Sequence, residues 1–162
     1  MFGILVLASA ASALGCDLTT VTSARAVHDA LSLRAIEIIG TAQQEGPEAK
    51  AYLEKRVDPT ASFSLGSGDV GRPLGTGIAG AKTLASTMNA DQYRFLGWDY
   101  MDFPANACGK QTVNIEFVSS RTLRLSSVEF TFDQGRVVTA SGWERSFKSG
   151  AFPLPGENLT DR

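Results

Sequence analysis

Between Lys110 and Lys148 apolar residues return at every second position. Val113, Ile115 and Phe117 alternate with Thr112, Asn114 and Glu116, the period of a half-buried strand. Leu123 and Leu125 open a second alternation that resumes out of phase at Val128, Phe130 and Phe132. The slip at Ser126-Ser127 predicts a β-bulge, an extra residue that bends the strand and raises its twist. Asp133-Gln134-Gly135 predicts a tight turn into Val137 and Val138, and Gln92 to Phe103 (QYRFLGWDYMDF) reads as an earlier strand dense in aromatics that stops at Pro104. Long antiparallel strands with one apolar face need a cover for it.

The first half of the chain supplies that cover. Ala24, Val27, Leu31, Ala35, Ile38 and Ala42 recur at helical spacing from Ser23 onward, with Arg25, Asp29, Ser32 and Arg34 off the stripe. Pro47 suits the first position of a second helix through Arg56, with Tyr52 and Leu53 inward and Asp58-Pro59 as its stop. Ala61 to Leu65 reads as a short strand, Gly66 to Gly75 as a loop, and Ile78 to Met88 as a third helix burying Ile78, Ala81, Leu84, Ala85 and Met88. Gly75-Thr76-Gly77-Ile78-Ala79-Gly80 matches GxGxxG. A dinucleotide site needs a buried parallel strand before those glycines and a βαβ chain around them; a polar loop precedes them here, so a tightly packed helix start is expected instead.

At 162 residues and 43% hydrophobic, the chain suits one domain with a proper core. The net charge is -2 with Lys and Arg dispersed, which gives no basic stripe for nucleic acid. Its two cysteines have no clustered His or Cys beside them, so neither a metal nor another cofactor is expected.

Residues 1–15, MFGILVLASAASALG, are apolar and rich in small residues, the character of an export signal, although no Lys or Arg precedes Arg25. Two cleavage readings stay open. Leu14-Gly15-Cys16, following Ala13, resembles a bacterial lipobox, which would lipidate Cys16 and tether the domain to a membrane. Ala11-Ser12-Ala13 fits ordinary secretion into the periplasm or beyond, and Cys16 could then pair with Cys108 in an oxidising envelope. Residues 16–22 are expected to be a tether, 23–149 the domain, and 150–162 a loose tail.

The order of long helix, short helix, short strand, third helix and closing strands resembles the nuclear transport factor 2-like superfamily, with its ketosteroid isomerase-like and polyketide cyclase-like relatives. The resemblance runs from about Ser23 to Lys148. It is carried by Val57-Asp58-Pro59-Thr60-Ala61-Ser62-Phe63, by Gly75 to Leu84, and by Phe130-Thr131-Phe132-Asp133-Gln134-Gly135-Arg136-Val137. It implies an α+β fold in which a curved antiparallel sheet wraps the N-terminal helices as a cone-like barrel around an apolar pocket. Relatives include isomerases, dehydratases, epoxide hydrolases, ligand binders and interaction domains, some paired as homodimers through the outer sheet face, so fold leaves function open.

The expected pocket wall is Tyr93, Phe95, Trp98, Val113, Ile115, Phe117, Phe130 and Trp143, with His28 facing it from the first helix. Glu116 then points outward into solvent. The resulting expectation is an exported cell-envelope domain that binds a small apolar ligand or a partner protein without turnover. The alternative is an isomerase, dehydratase or hydrolase with His28 or Asp99 as general base. Asp99 and Asp102 lie among Trp98, Tyr100 and Phe103, surroundings that raise a carboxyl pKa by desolvation. Where ketosteroid isomerases carry their base on the first strand, this chain has Phe63, Ser64 and Leu65, and a serine does not abstract a proton from carbon.

Overall fold

A computed structural model of the chain describes residues 16–95, 107–148 and 157–159. The predicted leader, and Trp98, Asp99 and Asp102, lie outside the described residues. Three helices, α1 (Ala24–Ala42), α2 (Pro47–Arg56) and α3 (Gly77–Met88), pack against strands β1 (Val57–Ser67), β2 (Pro73–Thr76), β3 (Gln92–Phe95), β4 (Gln111–Ser119), β5 (Arg124–Asp133), β6 (Arg136–Ser146) and β7 (Glu157–Asn158). The strands form one curved sheet in the order β2-β1-β6-β5-β4-β3-β7. It is α+β as expected, but mixed rather than antiparallel throughout, because β1 and β6, second and third in that order, run parallel. Its edges, β2 and β7, do not pair with each other, so the sheet curves without closing into a barrel.

Local chemistry sets the helix limits. Ser23 caps α1 by accepting from the Ala26 N–H at 3.1 Å, and Pro47 opens α2. Asn89, with φ of 46°, ends α3 in the left-handed conformation. The apolar stripe of α1 is buried as its spacing predicts, but so are His28, Ser32 and Arg34. Contacts to α2, α3 and β4 enclose α1 on several sides, so an off-stripe position on this helix is not a solvent position.

Gly75, Gly77 and Gly80 serve packing. β2 is an exposed strand antiparallel to β1, and a Cβ on Gly80 would lie 2.7 Å from both the Gly75 carbonyl oxygen and the Phe63 ring. The helix start is pressed onto β1 too closely for a side chain.

The predicted bulge at Ser126-Ser127 is absent. β4 and β5 pair in unbroken register from Gln111↔Phe132 to Ser119↔Arg124. The change of phase marks a change of face: Leu125 pairs with Val118 on the opposite side from Val128 and Phe130, and both are 2% exposed. The register shift falls instead between Thr131 and Phe132 against β6, where Val138 is the extra residue. The β5–β6 turn is a two-residue hairpin with positive φ at Gln134 (50°) and Gly135 (74°), the type I′ geometry that suits twisted strands.

Neither end is as loose as expected where it is described. Cys16 is bonded to Cys108, and Leu18 is buried. The Asp17 carboxylate accepts from Arg34 Nη2 at 3.0 and 3.1 Å and from Arg56 Nη1 at 2.5 Å, while Arg34 Nη1 donates to the Gly135 carbonyl at 2.7 Å. Burial alone would raise the Asp17 carboxyl, but the bond from Arg56 and the two guanidinium charges outweigh it and hold the group below its ordinary range. In the predicted tail, β7 pairs with β3, and the Leu159 N–H donates to the Asp91 carbonyl at 3.0 Å.

Candidate functional site

The register brings most of the expected wall onto one face. Tyr93 pairs with Phe117, Ile115 with Val128, and Val113 with Phe130, and these side chains are buried against the helices. Phe117 and Phe130 meet edge to face at 6.2 Å. They form the packed core.

Two expected members differ from the packed ones. Phe95 shares the inner face, in register with Ile115, but ends β3 and is 45% exposed, with its ring 5.8 Å from that of Tyr93. Trp143 lies on the outer face, 49% exposed, where a Cβ on its partner Gly66 would sit 2.4 Å from the indole. Alternation counted from Val137 puts Trp143 inside. The extra residue at Val138 reverses that parity, so Ala140, Gly142 and Glu144 face inward instead.

His28 is buried, 6% exposed, with Nδ1 3.7 Å from the largely exposed Asp29 carboxylate. Ser32, one turn on, is 1% exposed, and its hydroxyl has no hydrogen-bond partner among the described residues. This pair puts buried polarity on α1.

The same reversal delivers a residue that sequence reasoning missed. Glu144 sits on the inner face beside Ser126, its side chain 7% exposed. One carboxylate oxygen is ion-paired with Arg124, and the other is buried with no hydrogen-bond partner among the described residues. Only the register could have revealed it, since the local sequence Trp143-Glu144-Arg145 looks like an exposed strand end.

Glu116 corrects the opposite expectation. It points to the outer face, yet its side chain is 2% exposed. Arg94 from β3 ion-pairs with one oxygen; Arg145 from β6 approaches the other at 3.4 Å, and the Ser127 hydroxyl lies 3.5 Å from it. A buried carboxylate persists only when its lost hydration is replaced by such donors.

Among the described residues, an open concavity of about 260 Å³ lies where α1, α2 and the C-terminal segment meet, lined by Ile36, Glu37, Gly40, Thr41, Gln44, Tyr52 and Leu159. The Tyr52 hydroxyl donates to Glu37 Oε2 at 2.5 Å. Burial, then the bond to Glu37 and its negative charge, pushes the phenol well above its ordinary pKa, so it stays a donor at physiological pH. No group of three or more His, Cys, Asp or Glu among the described residues is placed to hold a metal. No described helix is long and apolar enough to cross a membrane.

The class these observations define is an α+β domain whose helices lie against a curved, open, mixed sheet. No protein-family model matches the sequence, and no curated protein matches it. Among solved structures, one of a Rhodopseudomonas palustris protein provisionally called an isomerase is similar, at 10% identity and a TM-score of 0.35, over 67% of this chain and 85% of that one. So distant a likeness carries no chemistry, and the functional reading rests on the residues themselves.

Proposed function

We propose that this chain is an exported domain of the nuclear transport factor 2-like kind that binds a ligand without transforming it. The helix and strand order agrees with the arrangement which that resemblance implies. The observation that carries the non-catalytic reading is the distribution of charge on β4 and β5. Their inner face presents Val113, Ile115, Phe117, Val128 and Phe130, with its one charge, Arg124, at the end of β5 and paired to Glu144, while Glu116 and Glu129 point away, Glu116 already held by two arginines. Those side chains pack together, and the same apolar face reaches solvent at Phe95, in register with Ile115 and 45% exposed; with no acid and base converging there among the described residues, this face favours retention of a ligand over proton transfer. Titration with the neutral fluorophore N-phenyl-1-naphthylamine tests this, with a saturable rise in emission expected. A folded protein that gives no saturable signal rules the reading out.

Export is supported by the Cys16–Cys108 bond, because disulfides persist in oxidising compartments and are rare in the cytosol of mesophiles. A sulfur in that bond is not free to carry a lipid thioether, which favours cleavage ahead of Cys16 by the secretory route. Intact mass of the exported protein should lack two thiol hydrogens and carry no acyl chains; an acylated Cys16 would reverse the assignment.

The second reading, a small-molecule isomerase, dehydratase or hydrolase, is favoured by Glu144 more than by His28. A buried carboxylate oxygen without a donor among the described residues, beside a buried serine on the inner face, is placed as a general base would be. Deuterium exchange at the α-carbon of cyclohexanone, accelerated by the wild type and lost in Glu144→Gln, would establish it; equal rates in both proteins would remove it.

A further inference from the structure

The groove between α1, α2 and the C-terminal segment has a chemistry of its own, separate from the inner wall of the sheet. Glu37 is its charged lining residue, and it makes no ion pair with a Lys or Arg among the described residues. The nearby cation is engaged elsewhere: Arg56 stacks over the Tyr52 ring at 5.9 Å but gives its Nη1 to Asp17 at 2.5 Å. Tyr52 satisfies one lone pair of Glu37 Oε2, and the other carboxylate oxygen has no donor among the described residues. Thr41 and Gln44 add further oxygen acceptors to the same wall.

The rest of the lining is apolar and made to leave room. Gly40 occupies a helix-interior position where alanine would be the better helix former by about 0.5–1 kcal/mol. A Cβ there would already lie 3.6 Å from the Leu159 carbonyl oxygen and 3.7 Å from its Cγ, so anything larger than a methyl group would intrude on the groove. Ile36 and Leu159 flank it. At about 260 Å³ the space falls just below the ~300–1,000 Å³ typical of drug-sized ligand sites and suits a molecule of a few carbons.

We propose that this groove binds a small primary alkylammonium ion. Its N–H donors are shared between the Glu37 carboxylate, the Tyr52 hydroxyl oxygen and the Thr41 hydroxyl, and its short alkyl chain lies over Gly40 and along the Tyr52 ring, the half-buried part of the lining, with buried Ile36 and Leu159 beneath. A carboxylate with a spare oxygen, ringed by neutral acceptors, selects a donor-rich cation and repels an anion of equal size.

The test is a titration of the ¹⁵N-labelled full chain with butylammonium chloride at constant ionic strength, followed by amide chemical shifts. Saturable shifts confined to Gly40, Thr41, Gln44, Tyr52 and Leu159, with a Kd in the roughly millimolar range suited to so small a ligand, are expected. Glu37→Gln, at an exposed position that leaves the fold intact, should weaken binding about tenfold. Sodium butyrate should give no saturable shift. The proposal is overturned by the absence of saturation up to about 50 mM, by an unchanged Kd in Glu37→Gln, or by equal binding of butyrate. None of these outcomes bears on fluorophore binding at the inner wall, so the two readings fail independently.

Discussion

The two faces of β4 and β5 are both partly dry, and they reach that state by different physics. On the inner face Val113, Ile115, Phe117, Val128 and Phe130 are buried by packing under the helices. Each such side chain contributes roughly 1.5–3 kcal/mol of transfer free energy. On the outer face Val118 and Leu125 are equally buried, but the group between the strands there is Glu116, whose lost hydration is replaced by Arg94, Arg145 and Ser127. Alternation therefore identifies which side chains share a face; it does not identify which face is wet.

The largest effect that would sharpen the contrast is Phe130→Ala. Removing a fully buried ring should cost about 3–5 kcal/mol in urea unfolding, and a loss below about 1 kcal/mol would mean the inner face is not close-packed. Glu116→Ala should cost about 3 kcal/mol by stranding Arg94 beside a dry site. Adding Arg94→Met should recover much of that loss; if the double variant is no better than the single one, the outer face is not held by the ion pair.

A partly exposed pair provides the intermediate case. Asp17 is 39% exposed, and its folded-state pKa is depressed, so its contribution is present above the unfolded carboxylate pKa near ~4 and is lost as pH falls through the folded value. Asp17→Asn should destabilise by about 1–2 kcal/mol at neutral pH, with solvent screening keeping the figure modest, and should flatten the acid limb of the stability profile. An acid limb identical to the wild type would contradict the assignment. The smallest effect belongs to Trp143→Ala, expected to cost less than about 1 kcal/mol by thermal melting because half of the ring is already in water. A cost like that of Phe130→Ala would make the outer face a second core.

The helices were readable because each carries its own local signals: Ser23 before the stripe, Pro47 at the head of α2, and the spacing of Ala81, Leu84, Ala85 and Met88 in α3. The inner positions of β4 and β5 were readable because a period of two is intrinsic to an extended chain. The candidate sites were less so. Tyr52 was visible as a core contact, but its bond to Glu37 joins two helices, and the wall formed by Leu159 comes from a segment that looked like a loose tail.

What the sequence alone determined is the three helices, the strands β1 and β3 to β6 in their order, and the apolar faces of the helices and of β4 and β5, since those depend on contacts between neighbours along the chain. β2 and β7 read as a loop and a tail because each exists only by pairing with a strand already in place. What only the tertiary structure decided is register and company. One unpaired residue at Val138 moved Trp143 outside and Glu144 inside, and the meeting of β3, β4 and β6 made Glu116 a buried ion rather than a solvated one. Both outcomes depend on pairing between strands distant in sequence, and no pattern within a single strand encodes which partner will lie beside it.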